Sequence, residues 1–253
     1  MALLEVTNLS KAFGGVKAVQ NVSFSVDAGI IYSVIGPNGA GKTTLFNLVT
    51  GVYEPCEGDV RLNGQPIAGA SPYALARLGV SRTFQNLQVC MNMSALENVM
   101  VGAHLQLDRN VFKAMLRWPS IARRDRQLRE EAAELMRFVG LGHLLDARAD
   151  AMSYGALKRL EIARAMAAKP QLLFLDEPAA GLNPKETVEI DELIRKIADS
   201  GVTVVLVEHD MKMVMNLSQR ILVLDYGKKL TEGSAEEVRA NPDVIAAYLG
   251  AHA

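Results

Sequence analysis

The sequence predicts an α/β protein with a mainly parallel sheet, an N-terminal antiparallel β portion and an inserted helical segment. Three observations predict it. Two runs near the N-terminus alternate apolar and polar residues; four later runs, "IYSVIG", "LLFLDE", "VTVVLVEHD" and "RILVLD", are short and continuously apolar; and residues from about 87 to 150 show helical periodicity without a convincing strand. Continuous apolar runs are what parallel strands buried on both faces require, with functional groups projecting from their carboxyl ends.

In chain order, "LLEVTNL" and "NVSFSV" flank "FGG" within residues 3–30 and are expected to form antiparallel strands. "IYSVI" then runs into "GPNGAGKTT" and a helix over 42–50, with further helices expected over 154–168 and 185–199. The division expected is a single domain over 1–253, with 1–86 and 168–253 as the α/β core and 87–167 as the helical part. A chain of 253 residues can bury a large core. With 27 basic and 28 acidic residues it has no global electrostatic drive toward nucleic acid. Cys56 and Cys90 lack metal-ligand spacing, which points to a reduced cytosolic setting. No apolar run approaches the ~20 residues that cross a bilayer. The start "MALLEVTNLSKAF" has no signal-peptide pattern, so the chain is expected in the cytosol unless a partner holds it on a membrane.

"GPNGAGKTT", residues 36–44, matches G-x-x-x-x-G-K-[ST] between a strand and a helix. Gly36, Gly39 and Gly41 let the backbone curl, so that in a loop that also holds Pro37, Asn38, Ala40 and Thr44 successive N–H groups surround a phosphate. Lys42 is placed to reach the β- and γ-phosphates of ATP and Thr43 to ligate Mg²⁺. In "LLFLDEP", Asp176 is positioned for Mg²⁺ and Glu177 to polarise an attacking water. Alone, two acids before Pro178 could equally be a solvated turn; a phosphate loop in the same chain favours catalysis. His209, in "VEHDM", reads either as a γ-phosphate contact or as a structural histidine, and Gln85, in "SRTFQN", either as a surface residue or as a contact to Mg²⁺ and the lytic water. "MSYGALKRLEIARAM" raises a separate question. Ser153 and Gly155 head an apolar-striped helix whose unpaired N–H groups favour an anion, or they form an ordinary cap.

Taken together and in order, "GPNGAGKT", "TFQ", "MSYGALKR", "LLFLDEP", "AAGLNP" and "VEHD" resemble the motif series of ATP-binding-cassette (ABC) ATPases over nearly the whole chain. The resemblance implies a P-loop NTPase fold that hydrolyses ATP with Mg²⁺. It also implies a head-to-tail dimer in which Ser153 and Gly155 serve the ATP held by the opposite subunit, and it assigns Phe13 to stacking on adenine, although one aromatic near a strand end is as easily core. Two positions depart from the family pattern. Asn183 stands where many cassettes have Asp, and Ala156 where a glutamine usually follows the signature glycine.

"AAGLNPKET", the long helical segment and the ending "NPDVIAAYLG" look like the ATP-binding subunit of branched-chain amino-acid importers, and relatives driving urea uptake or lipopolysaccharide export share much of the pattern. The implied partners are a second ABC ATPase subunit, with a heterodimer favoured, two transmembrane permease subunits and, indirectly, an extracytoplasmic substrate-binding protein. Together they would hold this chain on the cytoplasmic side of the cell membrane. A soluble cassette acting on nucleic acid or ribosomes is disfavoured by the single cassette, the near-neutral charge and the lack of a zinc pattern. A basic cluster of Arg109, Lys113, Arg117, Arg123, Arg124, Arg126 and Arg129 around Trp118 reads as a lipid-facing patch or as a solvated helix face paired with Glu130, Glu131 and Glu134.

Overall fold

The structure, a computed structural model, describes residues 2–106 and 119–249. Strands β1 (Ala2–Phe13), β2 (Val16–Asp27) and β3 (Ile31–Ile35) lead to helix α1 (Lys42–Val49), then β4 (Glu57–Leu62), β5 (Gln65–Pro66), α2 (Pro72–Arg77) and β6 (Val80–Arg82). Helices α3 (Ala95–Gly102), α4 (Pro119–Phe138) and α5 (Tyr154–Met166) follow. The chain returns through β7 (Leu172–Asp176), α6 (Pro184–Asp199), β8 (Thr203–Val207), α7 (Met211–Leu217), β9 (Arg220–Asp225), β10 (Lys228–Gly233), α8 (Ala235–Ala240) and α9 (Pro242–Leu249).

Among the described residues the strands form two sheets. One is antiparallel in the order β2-β1-β4-β5; the other runs β10-β9-β3-β8-β7-β6 and is parallel except for its β10 edge. Strands β7 and β8 divide their side chains between two cores, as a period of two dictates. In β7, Leu172 and Phe174 face a core shared with α1 and the antiparallel sheet, while Leu173 and Leu175 face one shared with α3, α5 and α6. Val205 and Val207 in β8 join the first core, and Val204 and Leu206 the second. The Phe174 ring meets Phe46 edge-on at 5.2 Å. Phe174→Ala should therefore cost ~3–5 kcal/mol of stability, read as a lower denaturant midpoint at unchanged slope.

The structure adds elements that the sequence pattern hides. β4, "EGDVRL", buries only Val60 and Leu62 among its side chains, β6 has three residues, and β10, "KKLTEG", is mostly polar. The antiparallel portion thus includes residues 57–66, beyond the 3–30 expected. Over 87–150 the described residues form α3, α4 and three short 3-10 turns, the last of which ends at Ala151, with only an isolated bridge between Ser94 and Arg148. Ser94 and Glu97 start α3 with a capping box. Arg109, Lys113, Arg117 and Trp118 lie outside the described residues. On α4, Glu131 is paired by Lys169 at 2.7 Å and Arg124 at 3.7 Å; the Lys169 hydrogen bond is the main cause that holds its carboxyl below the usual range. Among the described residues no helix is long and apolar enough to cross a membrane.

Candidate functional site

All five residues of β3 are buried between β8 and β9, and the chain leaves this strand as the Gly-rich loop. The reversal of strand order around β3 opens a crevice at the carboxyl ends of the strands. Gly36 and Gly41 are required by close backbone approach, since a Cβ would lie 2.2 Å from the Leu224 carbonyl oxygen and 2.4 Å from that of Ala18, respectively. Gly39, at φ 81°, faces open space. Helix α1 begins after Gly41 with no side-chain cap and no acid in its first turn, and Leu45 N–H makes the bond back to the Gly41 carbonyl at 2.8 Å. The N–H groups of Lys42, Thr43 and Thr44 therefore have no intrahelical acceptor. They belong to a cavity of about 590 Å³ that Asn38, Gly39, Ala40, Gln85, Glu177 and His209 also line. Free donors, a helix dipole and room beside Gly39 fit a polyphosphate. Lys42 is buried within the loop, its Nζ donating to the carbonyls of Gly36 at 2.7 Å and Pro37 at 2.9 Å. Burial holds its pKa below the usual lysine value, against the opposing pull of Glu177.

Three residues predicted from separate motifs meet across this cavity. The Glu177 carboxylate lies 2.7 Å from His209 Nε2 through Oε1 and accepts from Gln85 Nε2 at 3.0 Å through Oε2. Glu177 itself sits in the left-handed region at φ 49°, fixed by its N–H bond to the Val207 carbonyl at 2.9 Å. Such a conformation costs ~1–3 kcal/mol for a non-glycine residue and persists only where the surroundings impose it. Glu208, which the sequence reading did not single out, helps impose it. This carboxylate is 4% exposed and accepts from Ala179 N–H at 2.8 Å and His209 N–H at 3.0 Å, tying the loop after Glu177 to the loop after β8. Burial raises its pKa, and the backbone donors oppose that rise. Its sequence signal was an acid beside His209 after an apolar run.

Asp176 is 3% exposed at the end of β7. Arg82, also missed, donates Nη2 to its Oδ2 at 2.9 Å and Nη1 to Asn47 Oδ1 at 2.6 Å and Thr50 Oγ1 at 2.9 Å. A buried ion pair persists only when such additional bonds satisfy it. Arg82 thereby joins β6, β7 and α1; its only signal was its place in "SRTFQ". Among the described residues no group of three or more His, Cys, Asp or Glu could hold a metal. Thr43 and Gln85 line the cavity, whereas Asp176, paired with Arg82, is not among its lining residues and precedes Glu177, which is; the sparse oxygen set suits Mg²⁺, which takes one or two protein oxygens and completes its shell with phosphate and water.

The remaining predicted residues lie elsewhere. Phe13 stands at the end of β1, 43% exposed, with its ring edge-on to Tyr53 at 5.2 Å and Lys11 Nζ 5.4 Å from its centre. It is not among the cavity's lining residues, which include Val16, Lys17, Ala18, Gln20 and Tyr226. Ser153 caps α5, its Oγ accepting from Ala156 N–H at 3.3 Å, and Gly155 is buried where a Cβ would meet Glu186 Oε1 at 2.5 Å. Neither lines the cavity. Ala156 is 3% exposed. Asn183 caps α6, accepting from the N–H groups of Lys185 and Glu186, while Glu186 accepts from Asn183 N–H at 3.1 Å.

Residues 19–180 match the family model described as "ABC transporter". The chain belongs to the ABC transporter family. The cassette's residues 228–253 match a second model, "Branched-chain amino acid ATP-binding cassette transporter". It is 46% identical over 249 residues, 98% of both chains, to the high-affinity branched-chain amino acid transport ATP-binding protein BraF of Pseudomonas aeruginosa. The same figures hold for LivG of Escherichia coli K12, which carries the same description. Among solved structures it resembles an ABC transporter's ATP-binding cassette in its ADP conformation, with TM-score 0.87, 32% identity and 99% of each chain covered. It also resembles a dimeric cassette in a post-hydrolysis state bound to ADP and Pi, with TM-score 0.75, 25% identity, and 92% of this chain and 98% of that one covered. The cassette is a nucleotide-binding ATPase of this family, with the α/β fold common to its structural relatives.

Proposed function

We propose that this cassette powers a branched-chain amino-acid importer, binding and hydrolysing ATP while separate permease subunits carry leucine, isoleucine and valine across the membrane. The observation that carries the reading is the end-to-end likeness to BraF and LivG, over 98% of each chain. The cassette would sit at the cytoplasmic face, joined to two permease subunits and paired with a second cassette, with a substrate-binding protein delivering cargo on the far side. Residues 87–167 would act as the helical unit that receives the permeases. A groove of about 430 Å³ suits that contact, lined by Pro72, Leu75, Phe84, Val101, Leu105 and Arg164.

At the catalytic centre, the loop from Gly36 to Thr44 holds the phosphates, with Lys42 turning from its loop carbonyls to the β- and γ-oxygens. Glu177 takes the proton of the attacking water, His209 and Gln85 fix the orientation of its carboxylate, and Thr43, Gln85 and Asp176 hold Mg²⁺. Bound there, Mg²⁺ would supply positive charge to offset that of the phosphate oxygens. Phe13 supplies a face for adenine. The α5 N-terminus at Ser153 and Gly155 meets the γ-phosphate held by the opposite cassette, where its dipole and free N–H groups favour the charge.

Two measurements test this. Purification from native membranes in mild detergent should recover two different permeases and a second cassette, and deletion of the gene should abolish high-affinity uptake of leucine, isoleucine and valine. Recovery with lipid-export permeases and unchanged uptake would overturn the cargo assignment. Ser153→Asp keeps a good helix cap but places a negative charge at the proposed γ-phosphate contact. It should weaken ATP-dependent dimerisation by roughly tenfold or more, an effect of about 1.4 kcal/mol, measured by sedimentation at saturating ATP. Dimerisation at the original strength would remove Ser153 from the interface.

A further inference from the structure

Helix α5 carries three polar side chains at intervals of three, Lys158, Glu161 and Arg164, which share one face. The roles described so far use none of them in catalysis. Lys158 and Glu161 are 2% and 6% exposed, and ionisable side chains are that deeply buried only where partners compensate them. The partners identify what the row does. Lys158 Nζ donates to the Glu177 carbonyl at 3.3 Å. Glu161 Oε1 accepts from the backbone N–H groups of Phe84 and Gln88, each at 3.4 Å, and Arg164 Nη1 donates to the Gln88 carbonyl.

The Gln85 loop is thus gripped on both sides of Gln85, and its grip comes from the helix that Ser153 caps. Gln85 then reaches Glu177 Oε2 at 3.0 Å, which closes a circuit of α5, the Gln85 loop and Glu177. Burial raises the Glu161 pKa, while the two backbone N–H groups and the nearby Lys158 and Arg164 favour its charged form.

We propose that Glu161 is a positioning residue: by holding both flanks of Gln85 on α5, it makes the stance of Gln85 at the metal and at Glu177 depend on where the Ser153 end of that helix sits. A rigid helix moves as a unit, so engagement of its first turn by the opposite subunit shifts Gln85 in the same molecule. The inference rests on the reading of Gln85 as a contact to Mg²⁺ and to the water activated by Glu177.

The test compares Glu161→Met, which keeps the volume but removes the acceptor, with Glu161→Gln, which keeps an acceptor oxygen for both N–H groups. Loss of these bonds should lower kcat by about five- to 150-fold, the range set by two ordinary hydrogen bonds. The same variant should raise the Mg²⁺ concentration for half-maximal ATPase while the KM for ATP stays close to its original value, and Glu161→Gln should restore both kcat and the Mg²⁺ dependence. Arg164→Met, at a half-buried position, should shift the Mg²⁺ dependence in the same direction by less, and it serves if Glu161→Met does not fold. A purely structural role predicts lower melting temperatures in all variants with unaltered Mg²⁺ dependence of the folded protein, and that result overturns the proposal. Gln85→Ala separates the two layers of inference. If it changes the Mg²⁺ dependence and neither Glu161→Met nor Arg164→Met does, the proposal alone falls; if it has no effect, the reading of Gln85 falls and takes the proposal with it.

Discussion

Replacing Glu177 with glutamine is expected to leave ATP binding in place and to lower turnover by ~10²–10⁴, the span that general-base assistance contributes. The side chain keeps its size, and its amide oxygen can still accept from Gln85 Nε2, a bond now at 3.0 Å. The left-handed backbone at this residue and its bond to the Val207 carbonyl do not involve the carboxylate, so the loop should hold its shape. What is lost is the ability to take a proton. ATP-bound dimers should therefore accumulate, visible as an ATP-dependent shift in size-exclusion chromatography alongside an ATPase assay. Turnover near the original rate would refute the assignment of the base and turn attention to His209, 2.7 Å from the same carboxylate.

The second large effect is expected at Lys42. In Lys42→Ala the bonds that an ammonium makes to phosphate oxygens disappear, and a hydrogen bond to a charged group contributes ~1.5–3 kcal/mol. The Kd for ATP should rise by roughly 10- to 150-fold per bond lost. The fold should suffer less. Nζ now serves the carbonyls of Gly36 and Pro37, and those oxygens belong to a loop bordering an open cavity, where water can replace it. Equilibrium binding of a fluorescent ATP analogue, paired with a melting curve, separates the two effects. An unchanged Kd would mean that the backbone cradle alone carries affinity.

These two residues were legible in the sequence because each sits in a motif at the end of a continuously apolar strand. β3, β7, β8 and β9 announce themselves in that way since both of their faces are buried in separate cores. The helix expected over 185–199 is found as α6, and the structure adds the cap at its start, formed by Asn183 and Glu186. The meeting of Gln85, Glu177 and His209 followed from motif order, although no spacing along the chain gives their distances. Arg82 and Glu208 were not legible, because their importance depends on spatial neighbours, Asp176 and Asn47 for one and Ala179 for the other. The place of Phe13 against Tyr53 depends likewise on a loop some forty residues away, and the strands over 57–66 and 228–233 are too polar to betray themselves by pattern.

The position of β3 has a thermodynamic consequence. Its backbone is bonded to β8 on one side and β9 on the other, so its amides exchange with solvent only when the whole sheet opens. A ligand that binds the native state alone adds ~2.7 kcal/mol to the free energy of such global opening at one hundred times its Kd, and adds nothing to openings that leave its site intact. Nucleotide held by the loop that springs from β3 is thus recorded as slower hydrogen exchange in a fully buried strand, while loops that fray without disturbing the cradle keep their rates. Occupancy of a surface cavity becomes readable at the centre of the fold.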